Sequence, residues 1–266
     1  MALRDDLGKR MKEYYEQVPK TRLVRRMPVA IRIDGKAFHT FTRGFKKPFD
    51  RILMDSMQKT MKYLCENIQG CVLGYTQSDE ITLILVDYQK LTSGAWFDYE
   101  VQKMCSISAS MATVAFNKAF AKNVDAYLDD YYETKWNTWD TDEEKYVDTL
   151  CNSANKGAMF DSRVFNIPKE EVANLIYWRQ LDASRNSVQM AGRANFSHAQ
   201  LNNKSCNDIQ DMLMLQKGIN WNDYATDEKR GSCCIKGSDG WFIDRDIPIF
   251  KEKDREYIEK LIYIGE

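Results

Sequence analysis

The 266-residue sequence predicts an α+β fold in which helices cover one face of an antiparallel sheet. Short runs of β-branched and aromatic residues, each of strand length, alternate with longer segments whose apolar residues recur at helical spacing. Their order along the chain is strand, helix, strand, strand, helix, strand. The composition, with 44% hydrophobic and 29% charged residues, is that of a globular protein.

The first predicted elements lie in the amino-terminal quarter of the chain. Residues 1–27 are charged and carry apolar side chains at helical spacing, which predicts a helix. Residues 29–33 are rich in branched side chains and predict a strand that stops at the turn dipeptide Asp34–Gly35. An amphipathic helix is predicted over 50–68, with an aspartate as its N-cap.

The next elements complete the order that defines the fold. Residues 71–76 and 81–86 predict two strands of a β-hairpin that carries Asp79 at its tip. A long helix is predicted over about 97–121, and a further strand over 163–167. This β-α-β-β-α-β order is the ferredoxin-like arrangement, which polymerase palm domains share.

The remaining chain is assigned to the same domain. We predict one domain, with a palm-like core at 28–168 and a helical and C-terminal extension at 169–266 that begins with a helix over 169–190. The stretch 127–144 combines acidic with aromatic residues and is interpreted as a solvated acidic insertion or a partner-docking surface.

Charge and cysteine content exclude several classes of protein. The net charge is −1, which argues against a strongly basic nucleic-acid coat protein, although local basic clusters still permit RNA binding. Seven cysteines without a CxxC pair and only two histidines argue against a zinc site. The amino terminus lacks the apolar run of a signal peptide, and no run approaches membrane-spanning length, so we expect a cytoplasmic protein.

Two carboxylates are the candidate catalytic residues. Asp34 ends one predicted strand and Asp79 lies at the hairpin tip, so a palm-type sheet would bring them together. Carboxylates suit Mg²⁺, and a two-ion site can activate one oxygen and stabilise another. Gly35 lacks a Cβ and allows close approach to a metal or phosphate. Glu80 is either a third, accessory carboxylate or a residue that faces solvent.

The segment between the two carboxylates mixes cations with aromatic residues. Three lysines are expected to neutralise triphosphate charge: Lys36, Lys46 and Lys47. Phe38 or Phe45 is expected to stack on a base, and His39 to hydrogen-bond a sugar or phosphate. Two basic clusters are candidates for RNA contact or simply solvated faces: Lys20, Arg22, Arg25 and Arg26, and Arg179, Arg185 and Arg193.

Three blocks of sequence together resemble the tRNA-His guanylyltransferase family. They are Arg32–His39, Phe45–Asp50 and Ser78–Glu80, which resemble the family's RIDG-x-x-FH, F-x-KP-x-D and SDE motifs. Weaker similarity continues at Asp161–Val164, Tyr177–Asp182, Lys204–Met212 and Lys229–Gly231. The resemblance covers roughly residues 5–236.

The resemblance implies a reaction and a set of site residues. The family adds nucleotides to the 5′ end of tRNA in the 3′–5′ direction, after ATP or GTP activates that end, and its members commonly form homotetramers. Two Mg²⁺ ions would be held by Asp34, the Gly35 carbonyl and Asp79, with Glu80 accessory. The residues implied to contact the nucleotide are Asp34, Gly35, Lys36, Ala37, Phe38, His39, Lys47, Asp50, Ser78 and Asp79.

One block departs from the family pattern. Where tRNA-His enzymes carry HINNLYN, this chain has residues 184–190, and only Asn186 matches. The departure resembles the guanylyltransferase-like branch, which implies template-dependent addition and repair of 5′-truncated tRNA. Three alternatives stay open at this point: addition of a single G to tRNA-His, a nucleotide cyclase, and a non-catalytic RNA-binding module.

Overall fold

A computed structural model describes residues 6–134 and 141–264, and its centre is a six-stranded antiparallel sheet. The strands are β1 Val29–Gly35, β2 Cys71–Gln77, β3 Glu80–Leu85, β4 Phe160–Asn166, β5 Ser232–Gly237 and β6 Gly240–Asp244. Their order across the sheet is β4-β1-β3-β2-β5-β6. The first four strands have the arrangement that the sequence predicts, and the α+β palm-like fold is confirmed.

Ten α-helices are found in the described residues. They are α1 Asp6–Met11, α2 Phe38–Phe41, α3 Arg51–Asn67, α4 Val101–Thr134, α5 Thr141–Lys156, α6 Lys169–Asn195, α7 His198–Leu201, α8 Cys206–Lys217, α9 Thr226–Arg230 and α10 Glu256–Ile262. A π-helical turn spans Lys12–Glu16, and 3₁₀ turns span Trp96–Tyr99, Trp221–Asp223 and Glu252–Arg255. None of the helices in this part of the chain is long and apolar enough to cross a membrane.

The two faces of the sheet are covered by different helices. Ile31 and Ile33 of β1 are fully buried in a cluster with side chains of α3 and α4. Ala30, which alternation places on the opposite face, is buried with side chains of α6 and α10. The palm helices therefore cover one face, as predicted, and the C-terminal extension covers the other.

Helix α3 begins where the sequence predicts. The side chain of Asp50 accepts a hydrogen bond from the backbone N–H of Leu53 at 3.0 Å, which is an N-cap. The other carboxylate oxygen accepts from the backbone N–H of Lys46 at 3.1 Å and from the hydroxyl of Tyr146 at 2.7 Å. Asp50 thus fixes both the start of the helix and the loop before it.

Two predicted helix boundaries were wrong. The amino-terminal helix ends at Glu16 instead of residue 27, because Pro19 lacks an N–H and restricts the residue before it. Helix α4 continues to Thr134, so the acidic stretch supplies the end of α4 and the start of α5 instead of a separate insertion. Residues 1–5 and 135–140, on which parts of both predictions fall, lie outside the described residues.

Candidate active site

The hairpin between β2 and β3 places Asp79 beside the end of β1. Ser78 and Asp79 form its two-residue turn, and Ser78 has a φ of 51°, in the left-handed region. The backbone N–H of Gly35 donates to the carbonyl of Asp79 at 3.1 Å. This bond ties the two predicted metal-binding segments together, and it confirms that Asp79 lies at a hairpin tip next to the strand of Asp34.

Three carboxylates form a row across the sheet. Asp34 is directly opposite Glu80 of β3 on one side and Asp161 of β4 on the other. Residues paired across antiparallel strands project from the same face. The row therefore lies on the face that α6 covers, and negative charge accumulates at the end of β1.

The carboxylates of Asp34 and Asp79 are both harder to ionise than usual. Burial raises the pKa of Asp34, the negative charges of Asp79, Glu80 and Asp161 raise it further, and Arg163 opposes them. Burial also raises the pKa of Asp79, whereas the Ser78 hydroxyl, which donates to its Oδ1 at 2.9 Å, lowers it. A bound cation would favour both ionised forms, since opposite charge lowers a carboxyl pKa.

The position of Gly35 admits no larger residue without rearrangement. A Cβ built there would lie 2.1 Å from the ring of Phe38. The Phe38 ring in turn packs against Phe116 and Phe160, with centroid distances of 5.6 and 5.2 Å that are typical of aromatic contacts. The backbone at Gly35 is therefore held against a rigid aromatic cluster.

A cavity of about 470 Å³ opens beside the hairpin turn. Eight of the ten residues predicted to contact nucleotide border it: Gly35, Ala37, Phe38, His39, Lys47, Asp50, Ser78 and Asp79. Asp34 and Lys36 are not among the bordering residues. Met190 of α6 and Leu53 of α3 also border the cavity, so the palm and the extension both contribute to it.

Comparison with known proteins identifies the family of this chain. The family model described as tRNAHis guanylyltransferase matches residues 8–168. The chain belongs to this family. It is a nucleotidyltransferase-type enzyme with a tRNA guanylyltransferase-like function.

Two solved structures and one characterised relative show how far the similarity to this guanylyltransferase family extends. A bacterial tRNA(His) guanylyltransferase-like protein in complex with ATP is 43% identical, with a TM-score of 0.80 over 97% of this chain and 100% of that chain. Such a protein in complex with GTP is 38% identical, with a TM-score of 0.76 over 98% and 100%. The tRNA(His) guanylyltransferase of Schizosaccharomyces pombe is 25% identical over 84% of this chain and 79% of its own length.

Glu80 does not face solvent in this family member, so that alternative was wrong. The residue is 5% exposed, and its two carboxylate oxygens accept from Arg179 at 2.7 and 2.9 Å. Arg32 donates to the same carboxylate at 2.7 Å. Glu80 therefore joins β1, β3 and α6 within the carboxylate row.

The prediction that Phe38 or Phe45 stacks on a base was wrong. The two rings are only 5% and 6% exposed. Phe38 packs against Phe41, and Phe45 stacks on Phe120 with an interplanar angle of 2°. These two aromatic residues therefore belong to the hydrophobic core, and their packing on α4 fixes one wall of the cavity.

Lys46 has protein partners instead of a free ammonium group. Its Nζ lies 3.0 Å from the Tyr127 hydroxyl, 3.0 Å from a Glu143 oxygen and 4.4 Å from the centroid of the Tyr146 ring. The acidic aromatic stretch thus binds a lysine of the cavity. Lys36 and Lys47, by contrast, are exposed and have no ion pair within the described residues.

Most residues of the two predicted basic clusters are engaged within the protein. Arg22 and Arg25 pair with Asp98, Arg26 binds Asp87, and Lys20 lies near Glu16. In the second cluster, Arg179 is buried in its bonds to Glu80, which contradicts a solvent-facing role, and Arg185 pairs with Asp182. Arg193 remains exposed and without an ion pair among the described residues.

Sequence reasoning missed two contributors to the site. Asp161 was noticed as part of a motif, but its position opposite Asp34 depends on pairing between strands that are far apart in the chain. Tyr146, which donates to Asp50, follows the acidic stretch and has no motif of its own. The signal for Tyr146 was its helical spacing with Leu150 on α5, which predicts burial but not a polar partner.

Proposed function

We propose that this chain adds nucleotides in the 3′–5′ direction to the 5′ end of tRNA, dependent on a template and with GTP preferred, and thereby repairs 5′-truncated tRNA. One observation carries the proposal: a backbone hydrogen bond joins Gly35, the residue after Asp34, to Asp79, and both Gly35 and Asp79 border a cavity of about 470 Å³. Family membership and the related structures in complex with ATP and GTP support a nucleotide as the occupant of this cavity.

Two Mg²⁺ ions are the proposed cofactors, held by Asp34, Asp79 and the carbonyl of Gly35. The residues fit such ions because both carboxyl pKa values are raised, by burial first and by neighbouring negative charge, which a cation would relieve. No group of three His, Cys, Asp or Glu side chains in residues 6–134 and 141–264 forms a complete metal site. Mg²⁺ needs only one or two protein carboxylates, since water and phosphate supply its other ligands.

The residues around the carboxylates have separate proposed roles. When bound, the ions would polarise phosphate oxygens and stabilise charge on the leaving group. Lys36 and Lys47 neutralise the triphosphate, His39 hydrogen-bonds sugar or phosphate, and Ser78 keeps Asp79 oriented through its hydroxyl. Glu80, fixed by two arginines, positions the hairpin and adds negative potential instead of touching the nucleotide.

The proposed reaction has two transfers. In the first, an oxygen of the RNA 5′-monophosphate attacks the α-phosphorus of ATP or GTP, and pyrophosphate leaves. In the second, the 3′-hydroxyl of the incoming GTP attacks the 5′-phosphorus of the RNA, the capping nucleoside monophosphate leaves, and the hydroxyl proton passes to solvent. Both steps develop charge on phosphate oxygens, which positioned cations stabilise.

The preference for a template is supported by where the departure from HINNLYN lies. Met190 of α6, one of the residues that differ, borders both the main cavity and a small adjoining one that also includes Ser78 and Phe49. Ser187, which also differs, borders the small cavity and accepts a hydrogen bond from the indole N–H of Trp221 at 3.0 Å. The residues that differ from the tRNA-His enzymes are therefore placed beside the reacting groups, where they would affect how an RNA end is held.

Single-turnover incorporation of labelled GTP tests the proposal. The substrates are a 5′-activated tRNA that lacks its first nucleotide, the same RNA with the opposing nucleotide changed, and a full-length tRNA-His. We expect incorporation only when the opposing nucleotide pairs with G, and its loss in Asp34→Ala and Asp79→Ala. Incorporation that ignores the opposing nucleotide would indicate G addition to tRNA-His instead, and a cyclic nucleotide formed without RNA would indicate a cyclase.

The proposed assembly is a homotetramer, which the family resemblance implies. Light scattering coupled to gel filtration measures the mass directly. A particle of four 31.1 kDa chains is expected, and a monomeric mass would contradict it.

A further inference from the structure

A second polar cavity lies in the C-terminal extension, away from the carboxylates. It has a volume of about 440 Å³ and is formed by the end of α6, the short helix α7 and the start of α8. Its walls are held close because Gly192 of α6 packs against Ile209 of α8, where a Cβ would come within 2.8 Å of the isoleucine. Phe196, 8% exposed, closes the floor.

Two cationic side chains and one histidine border this cavity, and no carboxylate does. Arg193, His198 and Lys204 are all exposed, and none has an ion pair or side-chain hydrogen bond in the described part of the chain. Hydrogen bonds from Ser205 lower the pKa of the nearby acid Asp208, and the charge of Lys204 lowers it further by a smaller amount. Of the two cations that border the cavity, Arg193 thus has no acidic partner in the described residues, whereas Asp208 offsets part of the charge of Lys204.

Another cavity of similar size has the opposite arrangement, because its cations are paired with acidic side chains. It is bordered by Arg51 and Arg245, but Asp55 and Asp227 border it too and form ion pairs with both arginines. Its positive charge is compensated by the fold itself. The cavity around Arg193 lacks such partners, so an anion from outside the chain would complete it.

The cavity around Arg193 and the cavity at the active site both adjoin α6. Gln189 borders the cationic cavity and Met190, the next residue, borders the cavity at the active site. Successive residues of an α-helix point about 100° apart, since a turn contains 3.6 residues. The two cavities therefore adjoin different sides of the same helical turn, and one extended polyanion can reach both.

We propose that the cavity formed by Arg193, His198 and Lys204 binds backbone phosphate of the RNA strand whose 5′ end occupies the active site. This inference rests on the proposed function and adds a second contact point for its substrate. Arginine and lysine are the usual ligands of RNA phosphate, and such contacts position a strand without reading its sequence.

An RNA strand is favoured over a free nucleotide by the exposure of the cations. Exposed charges attract a single small anion weakly, because water and salt screen them. A strand already held at the active site presents its phosphates at high effective concentration, so a weak contact still contributes to affinity. Phe196, the aromatic residue of the cavity, is buried and offers no exposed ring on which a free nucleotide could stack.

The test measures RNA binding separately from catalysis. Fluorescence anisotropy with a 5′-truncated tRNA gives the Kd at several salt concentrations for the wild type, Arg193→Ala, Lys204→Ala and the double variant. GTP affinity without RNA is measured in parallel. Lys236→Ala, which removes an exposed lysine of β5, is the matched control, and Arg193→Lys should retain binding because it keeps the charge. Circular dichroism confirms that each variant is folded.

We expect the double variant to bind RNA about tenfold more weakly at low salt, with the slope of log K against log salt reduced by about one for each lost contact. GTP affinity and the Lys236→Ala control should match the wild type. Unchanged RNA affinity and an unchanged salt slope would overturn the inference. Weaker GTP binding with unchanged RNA binding would also overturn it and would assign the cavity to a free nucleotide. If the wild type extends no RNA while the variants still bind RNA more weakly, the proposed function fails and the phosphate contact remains.

Discussion

The guanidinium group of Arg179 holds the carboxylate of Glu80 through two hydrogen bonds, 2.7 and 2.9 Å long, although 99 residues separate the two in sequence. Each side chain is only 7% exposed. Such a fork-to-fork pair joins the extension to the sheet immediately behind the proposed metal ligands. Its removal should therefore affect the stability of the whole fold.

Arg179→Met should destabilise the protein by about 3–5 kcal/mol, because it leaves the buried Glu80 carboxylate with Arg32 as its remaining cation. Urea unfolding monitored by circular dichroism measures the change. Arg185→Met is the matched control on the same helix: its side chain is 63% exposed, so the loss should stay below about 1 kcal/mol. An equal decrease in the free energy of unfolding for the two variants would mean that the buried Arg179–Glu80 pair stabilises the fold no more than an exposed ion pair does.

Neutralising a proposed metal ligand should stabilise the metal-free protein while it abolishes turnover. The pKa values of Asp34 and Asp79 are raised in the folded state, chiefly by burial, so ionisation of either residue opposes folding at neutral pH. Asp34→Asn and Asp79→Asn should each raise Tm in EDTA, by about 2–4 °C per kcal/mol relieved.

The pH dependence of this effect has a definite sign. A raised carboxyl pKa stabilises the fold below the unfolded value, near 3.8, and that contribution is lost as the pH rises through the folded value. The Tm advantage of the asparagine variants should therefore be present at pH 7 and shrink as the pH falls. Scanning calorimetry at a series of pH values measures it, and a constant difference would contradict the explanation that ionisation of these buried carboxyl groups opposes folding. Added Mg²⁺ should raise the Tm of the wild type only.

Gly35→Ala should displace the backbone of the site, because the added methyl group would collide with the Phe38 ring. The new methyl group would lie 2.1 Å from the Phe38 ring, which cannot move freely within its cluster. Overpacking of this kind costs about 1–3 kcal/mol, and a shift of the backbone at position 35 should also lower the GTP incorporation rate. Gly94→Ala is the control, since its Cβ would meet a flexible glutamine side chain at 3.3 Å. A Gly35→Ala protein with the stability and rate of the wild type would contradict this account.

Local patterns predicted the elements of the sheet well. Branched residues and a turn dipeptide predicted β1, and an aspartate N-cap with apolar residues at helical spacing predicted α3. The hairpin with Asp79 at its tip was predicted because a short polar break between two apolar runs is a local signal. These features depend on residues that are neighbours in sequence, so a single sequence is sufficient to predict them.

The errors arose where burial depends on distant partners. Phe38 and Phe45 lie in a polar segment and were expected at the ligand, but α4, more than sixty residues later, supplies Phe116 and Phe120 to bury them. Arg179 was expected on a solvent-facing helix side, and only the sheet below α6 reveals its partner Glu80. Helical spacing shows which residues share a face, but not what lies opposite that face.

Lys46 lies between the Tyr146 ring and Glu143, whose carboxylate reaches it from a helix 97 residues further along the chain. Glu143, which lies outside the family motifs, therefore offsets the positive charge of a lysine that borders the cavity. A substitution at Glu143 would change the charge that this cavity presents to an anion, while every residue that borders the cavity remains the same.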